Sequence, residues 1–174
     1  MKYKTSKKYT VEMVREAQLQ DTRSLAALAL QVWLTTYTKD GMRDDYASFA
    51  LSHFTADYFE ALLMSDDYGV LVCLDDSAII GFSVVNLVSQ FQGKPYGFEV
   101  EKLYVHNNFQ GRGIGKQLLD AISQRWGRKF WLYTWVENDS NHFYQRLGFK
   151  LVGELTFDFS GVVIHNNVYI SPAL

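Results

Sequence analysis

The sequence has little covalent or conformational punctuation. Cys73 is the single cysteine in 174 residues, so no internal disulfide can form, and a reducing cytoplasm is the compartment this chain fits. It sits in the apolar run "GVLVCLDD", where a thiol behaves as a small hydrophobe rather than a nucleophile. There are two prolines, Pro95 and Pro172, and no repeat or low-complexity linker divides the chain. No run reaches the ~20 apolar residues that cross a bilayer, which gives no membrane partner. The lysine-rich start "MKYKTSKKYT" lacks the apolar segment of a signal peptide. Residues 1–8 read as a mobile basic tail ahead of one domain over 9–174. A net charge of −2 argues against general nucleic-acid binding. His53, His106, His142 and His165 have no metal-ligand spacing among themselves or with Cys73, so no metal is expected. The absence of a GxSxG elbow argues against a serine hydrolase.

What is present is apolar and ordered. Hydrophobic residues make up 48% and aromatics 16%, enough for a full core. "VEMVRE" alternates like a first strand. "DTRSLAALALQVWLTTY" has Leu25, Leu28, Ala29, Val32 and Trp33 on one helical face, with Asp21 placed to cap it. "RDDYASFALSHF" and "TADYFEALLMS" read as one broken helix or two short ones. "YGVLVCLDD" and "AIIGFSVVNLV" form a hairpin about Asp75–Ser77, and "YGFEVEKLYV" is a further strand. "KQLLDAISQRW" is a helix and "KFWLYTWV" an aromatic strand whose rings suit a core. "DSNHFYQRLG" is a short helix ending at Gly148, and two more strands close the chain. Strands and helices in this order predict an α/β domain, a mixed sheet with helices on its faces. Sheet edges near the C-terminus could pair two chains as a homodimer.

Charge is unevenly spread. Residues 40–76 hold nine acids against one base, and residues 111–129 hold five bases against one acid. Most of these are solvated surface. The sharper reading is an acidic face for a cationic substrate and a basic one for an anionic cofactor.

The stretch "FQGRGIG", residues 109–115, joins a strand to a helix. A Rossmann fingerprint would need glycine where Lys116 stands. A Walker A loop would need glycine and a hydroxyl where Gln110 and Gln117 stand. What remains is Gln110-Gly111-Arg112-Gly113-Ile114-Gly115 opening a helix. Unpaired first-turn amides and the helix dipole make this an anion site, with Arg112 and Lys116 at its edge. The alternative is a tight turn with no ligand.

In context the turn resembles the acetyl-coenzyme A loop of the GCN5-related N-acetyltransferases (GNAT). The pattern (Gln/Arg)-x-x-Gly-x-(Gly/Ala) is matched by Gln110, Gly113 and Gly115. A later signature, Phe/Leu-Tyr-x-x-x-Gly-Phe, is matched by Phe143, Tyr144, Gly148 and Phe149. The resemblance covers nearly the whole chain. Within the family, "FEVEKLYVHNNFQGRGIGKQLL" and the "TYTKD" region are most similar to bacterial spermidine/spermine acetyltransferases of the PaiA type.

The resemblance implies a mostly antiparallel sheet with a splayed central strand pair and helices on both faces. It implies acetyl-coenzyme A as co-substrate and a small amine, such as a polyamine, as acceptor. A protein or peptide amine, or a non-catalytic coenzyme A-binding sensor, is the alternative. Leu103, Tyr104 and Val105 would pair through their backbone with the pantetheine arm, and the Val105 amide would stabilise the oxyanion. The pyrophosphate would lie over residues 110–116. Tyr144 would be the acid for the leaving thiolate. For the base, strict alternation puts Glu99, Glu101, Leu103 and Val105 on one face before any bulge, and Glu101 is preferred over Glu99 as nearer the reacting end. The family often has an asparagine seven residues before its tyrosine. Here Glu137 stands there, and Asn138, six before, takes the coenzyme contact if the turn is one residue shorter.

Overall fold

The computed structural model describes residues 13–172, and the tail expected over 1–8 lies outside the described residues. The elements run β1 (Met13–Glu16), α1 (Thr22–Tyr37), α2 (Asp44–His53), α3 (Ala56–Leu63), β2 (Tyr68–Asp75), β3 (Ala78–Asn86) and β4 (Phe98–Val105). They continue with α4 (Ile114–Trp126), β5 (Phe130–Trp135), α5 (Ser140–Arg146), β6 (Lys150–Phe159) and β7 (Val162–Ile170). The seven strands make one sheet in the order β1-β2-β3-β4-β5-β7-β6. Every neighbouring pair is antiparallel except β4 with β5.

Strand alternation sends side chains to two cores. Val70, Val72, Leu74, Phe82 and Val84 meet the α1–α3 layer. Leu71, Cys73, Ile80, Phe98 and Val100 meet α4 and α5. The α1 stripe packs as its 3.6-residue period predicts, with Leu25, Leu28, Ala29, Val32 and Trp33 all buried. Asp21 does not cap it. Its carboxylate instead takes both guanidinium nitrogens of Arg15 at 2.7 and 3.1 Å and the Gln18 amide at 2.8 Å. A fork-shaped, charge-assisted pair outweighs one capping bond, and Arg15 holds the Asp21 carboxyl below its ordinary range. The segment after α1 is two helices, because Thr55 accepts the Tyr58 amide at 3.1 Å and starts α3 afresh.

Two irregularities shape the centre of the sheet. Between β3 and β4 the register slips, so that Val84 faces Lys102 and Val85 faces Val100, leaving Glu101 as the bulged residue. Between β4 and β5 only Phe98–Phe130 and Glu99–Trp131 pair, and the strands then part.

Beyond the parting, the turn into α5 is held by Asn141. Its amide nitrogen donates to the carbonyls of Trp135, Val136 and Asn138 at 2.9, 3.2 and 2.7 Å. Its oxygen accepts from Asn167 and from the Tyr169 hydroxyl, both at 2.9 Å. Asn141→Leu, which strands these partners in a buried site, should destabilise the protein by about 2–4 kcal/mol. Urea unfolding with an unchanged m-value would register this as a lower midpoint.

Candidate active site

The glycine turn is an open cradle. Gly111 and Gly113 have φ of 76° and 84°, and a Cβ built on either would meet nothing within 4 Å. Gly113 sits at the N-cap of α4, and Gln117 makes the first backbone bond back to it, at 3.0 Å. The amides of Ile114, Gly115 and Lys116 therefore have no acceptor within the helix. Gly115 does a different job: a Cβ there would stand 3.1 Å from the Phe143 ring, so this glycine lets α4 approach α5. Arg112 lies over the Phe109 ring at 4.7 Å and donates to the Asn108 carbonyl, and Lys116 pairs with Asp120 at 2.7 Å. Both cations flank the cradle with local partners.

The parting strands expose backbone. His106 donates to Ile80 on β3 at 2.8 Å, so the alternating amides and carbonyls of Val105 and Leu103 turn the other way, toward β5. No ladder partner on β5 meets them among the described residues. Gln110 holds the strand end in place, donating to the Val105 carbonyl at 3.2 Å. This motif residue acts as a brace of the turn. Tyr144, on α5, is 7% exposed and packs in the α4–α5 core against Phe143, Phe149 and Tyr169. Its hydroxyl has no hydrogen-bond partner among the described residues, and burial pushes its pKa up. Asn138 accepts the Ser140 amide at 2.9 Å, an Asx turn that leads into α5.

On the other face of the sheet, at the same parting, lies a cleft of about 550 Å³. Its charged lining is Glu99, Glu101 and Lys102 from β4, with His53 from α2. Its aromatic wall includes Tyr58, Trp131, Tyr133 and Phe157. Glu99 is 7% exposed and accepts the Ser89 hydroxyl at 2.6 Å. Burial raises its pKa, with Ser89 opposing. Glu101 accepts Asn86 Nδ2 at 2.9 Å and lies 3.8 Å from the Lys102 ammonium. Burial lowers the pKa of His53, with Lys102 adding to it.

Tyr104, next on β4, packs on the α1–α3 side. Burial raises its pKa, and the phenols of Tyr37, Tyr58, Tyr133 and Tyr144 add to the shift. Tyr133 in turn is pushed up to about 12, by burial first and then by Glu99 and Glu101.

Residues 66–151 match the family model described as an acetyltransferase (GNAT) domain. Over that segment the chain is similar to GNAT acetyltransferase domains, and its fold is the GNAT fold. An N-acetyltransferase of Lactobacillus delbrueckii subsp. lactis, itself uncharacterized, is 23% identical over 145 residues, spanning 79% of this chain and 84% of that protein. The Bacillus subtilis spermine/spermidine N(1)-acetyltransferase is 26% identical over 94 residues, 49% of this chain and 62% of its own. Among solved structures, the PaiA N-acetyltransferase of Thermoplasma acidophilum, in complex with coenzyme A, aligns with a TM-score of 0.75. That match is 19% identical, covering 94% of this chain and 99% of that one.

The chain thus has the splayed sheet that the sequence implied, and three of its expectations change. Glu99 and Glu101 do not share a face with Leu103 and Val105: the bulge at Glu101 reverses the alternation, and the last two pack toward α4. The nine acids of residues 40–76 line no part of the cleft, to which α2 and α3 contribute His53, Tyr58 and Leu62. Trp131 and Tyr133 of the aromatic strand form cleft wall as well as core. Lys102 and His53 were not picked out from sequence, although a lysine beside two glutamates in an otherwise apolar strand was the available signal for the first. Among the described residues no three His, Cys, Asp or Glu side chains gather as a metal site, and no helix is long and apolar enough to cross a membrane.

Proposed function

We propose that the protein transfers an acetyl group from acetyl-coenzyme A to a small primary amine held in the cleft, by direct attack of the amine. The observation that carries this reading is the backbone of Leu103 and Val105 facing the parting of β4 and β5 without a ladder partner on β5, with the open glycine turn at one end and the carboxylate cleft behind it. These residues fit the coenzyme. Residues 110–116 would take its pyrophosphate on free amides, and the edge of β4 would pair with its pantetheine arm. When bound, acetyl-coenzyme A supplies the activated thioester.

The chain's own residues supply the rest. Glu99 is assigned the base: its carboxylate is buried, and its raised pKa makes it a better proton acceptor than an ordinary glutamate. Glu101, already engaged by Asn86 and Lys102, helps seat the ammonium. Once the amine has lost its proton to Glu99, the C–N bond forms while the Val105 amide donates to the acetyl oxygen. The C–S bond then breaks, and Tyr144 gives its proton to the departing sulfur. The new amide nitrogen sheds its second proton, which resets Tyr144 by way of solvent, Glu99 releases the first, and the products are the N-acetyl amine, the free thiol and one proton.

A polyamine is one acceptor of this class. It is supported by the name of the Bacillus relative and by the paired carboxylates of the cleft. The lone buried cysteine supports a reducing, cytoplasmic setting.

The test is amine-dependent, saturable thiol release from acetyl-coenzyme A, together with coenzyme binding by calorimetry. A valine at position 113 would be strained at φ 84° and would fill the open side of the cradle. Gly113→Val should therefore raise the coenzyme Kd about tenfold or more. Unchanged affinity in that variant would move the coenzyme away from the turn.

A further inference from the structure

The cleft holds one charge that acetyl transfer does not use. Lys102 follows the bulge and enters beside both glutamates, its side chain 12% exposed. Its ammonium is 3.8 Å from Glu101 Oε2, beyond hydrogen-bond range, and 5.3 Å from the centre of the Tyr58 ring. Each carboxylate beside it also accepts a neutral donor, Glu101 from Asn86 and Glu99 from Ser89. The three N–H donors of Lys102 thus make no close hydrogen bond among the described residues, and Glu101 is its ion-pair partner at a distance that leaves room for a further acceptor. A donor of the cleft wall, the Trp131 indole N–H, is buried without a partner. His53, the other basic group lining the cleft, is held toward its neutral form by burial and by Lys102 itself.

A pure polycation would meet Lys102 as a like charge. An acceptor that carries a carboxylate as well as an amine meets it as a partner, and leaves Glu99 free for the amine. The aromatic and aliphatic wall of Tyr58, Leu62, Tyr133 and Phe157 suits an apolar body between the two groups.

We propose that Lys102 sets the acceptor specificity, binding a carboxylate that the acceptor carries alongside its primary amine, so that the acceptor class is aminocarboxylates of amino-acid size. This rests on the acetyltransferase reading and narrows its acceptor.

Matched pairs test it: phenylalanine against phenethylamine, and lysine against 1,5-diaminopentane, with spermidine as the polycation. Thiol release is followed for the parent protein, Lys102→Met and Lys102→Arg. The parent should favour the carboxylate-bearing member by about tenfold or more in kcat/KM. Lys102→Met should bring the pair to near parity, and Lys102→Arg should keep the preference. Because the parent alone reports the preference, the test survives a variant that fails to fold. Equal or better use of the decarboxylated partners by the parent, or turnover with spermidine alone, overturns the proposal. Thiol release with none of these amines, while coenzyme still binds, would remove the acetyltransferase reading and this proposal with it.

Discussion

Tyr144→Phe is expected to slow acetyl transfer by about 10²–10⁴-fold, the usual worth of a positioned general acid, while coenzyme affinity stays within a factor of about two. The change removes one oxygen and leaves the ring against Phe143, Phe149 and Tyr169. Since no hydrogen bond holds that hydroxyl among the described residues, its loss strands no partner, and thermal stability should hold. The raised pKa keeps the phenol protonated at neutral pH, as a proton donor requires. A fall in turnover without a fall in melting temperature or coenzyme binding therefore isolates a chemical role. Equal turnover in variant and parent would take Tyr144 out of the reaction and leave it as core.

Glu99→Gln should lower kcat/KM about 10²-fold or more at neutral pH and change its pH dependence. The active form of Glu99 is the carboxylate, so activity rises as pH rises through its pKa. Burial raises that pKa, which moves the acidic limb of the profile to higher pH than an ordinary glutamate would give. In Glu99→Gln that limb should vanish, leaving only the ionisation of the acceptor amine. Glu101→Gln provides the contrast: it should raise KM by weakening the seat of the ammonium and leave the acidic limb in place. A profile that loses its limb in Glu101→Gln and keeps it in Glu99→Gln would reverse the two assignments.

Those assignments show where sequence reasoning reaches and where it stops. The order of elements was legible because helices and strands here keep their periods: the Leu25–Trp33 stripe and the paired runs around Asp76 each declare one partner face. The glycine turn was legible because so few residues tolerate its backbone. The faces of β4 were not, because alternation assumes an even pleat, and the bulge at Glu101 inserts a step that only pairing with β3 reveals. The cleft was illegible for a different reason. His53, Tyr58, Trp131 and Phe157 come from four separate elements, and nothing local marks any of them as cleft wall. The acidic run of residues 40–76 misled because charge density along a chain says nothing about which way each carboxylate turns. Asn141 gave no sign either, since a buried asparagine in a short helix is recognisable only once its five partners are assembled around it.

The most direct test of the account is to supply acetyl-coenzyme A labelled in its acetyl group, with a small primary amine as acceptor, and to identify the labelled product by mass spectrometry. The account predicts the label on the amine nitrogen, in step with thiol release, and little label in either position with Tyr144→Phe. Label recovered only as free acetate, or thiol release that ignores the amine, would contradict transfer to an amine in this cleft.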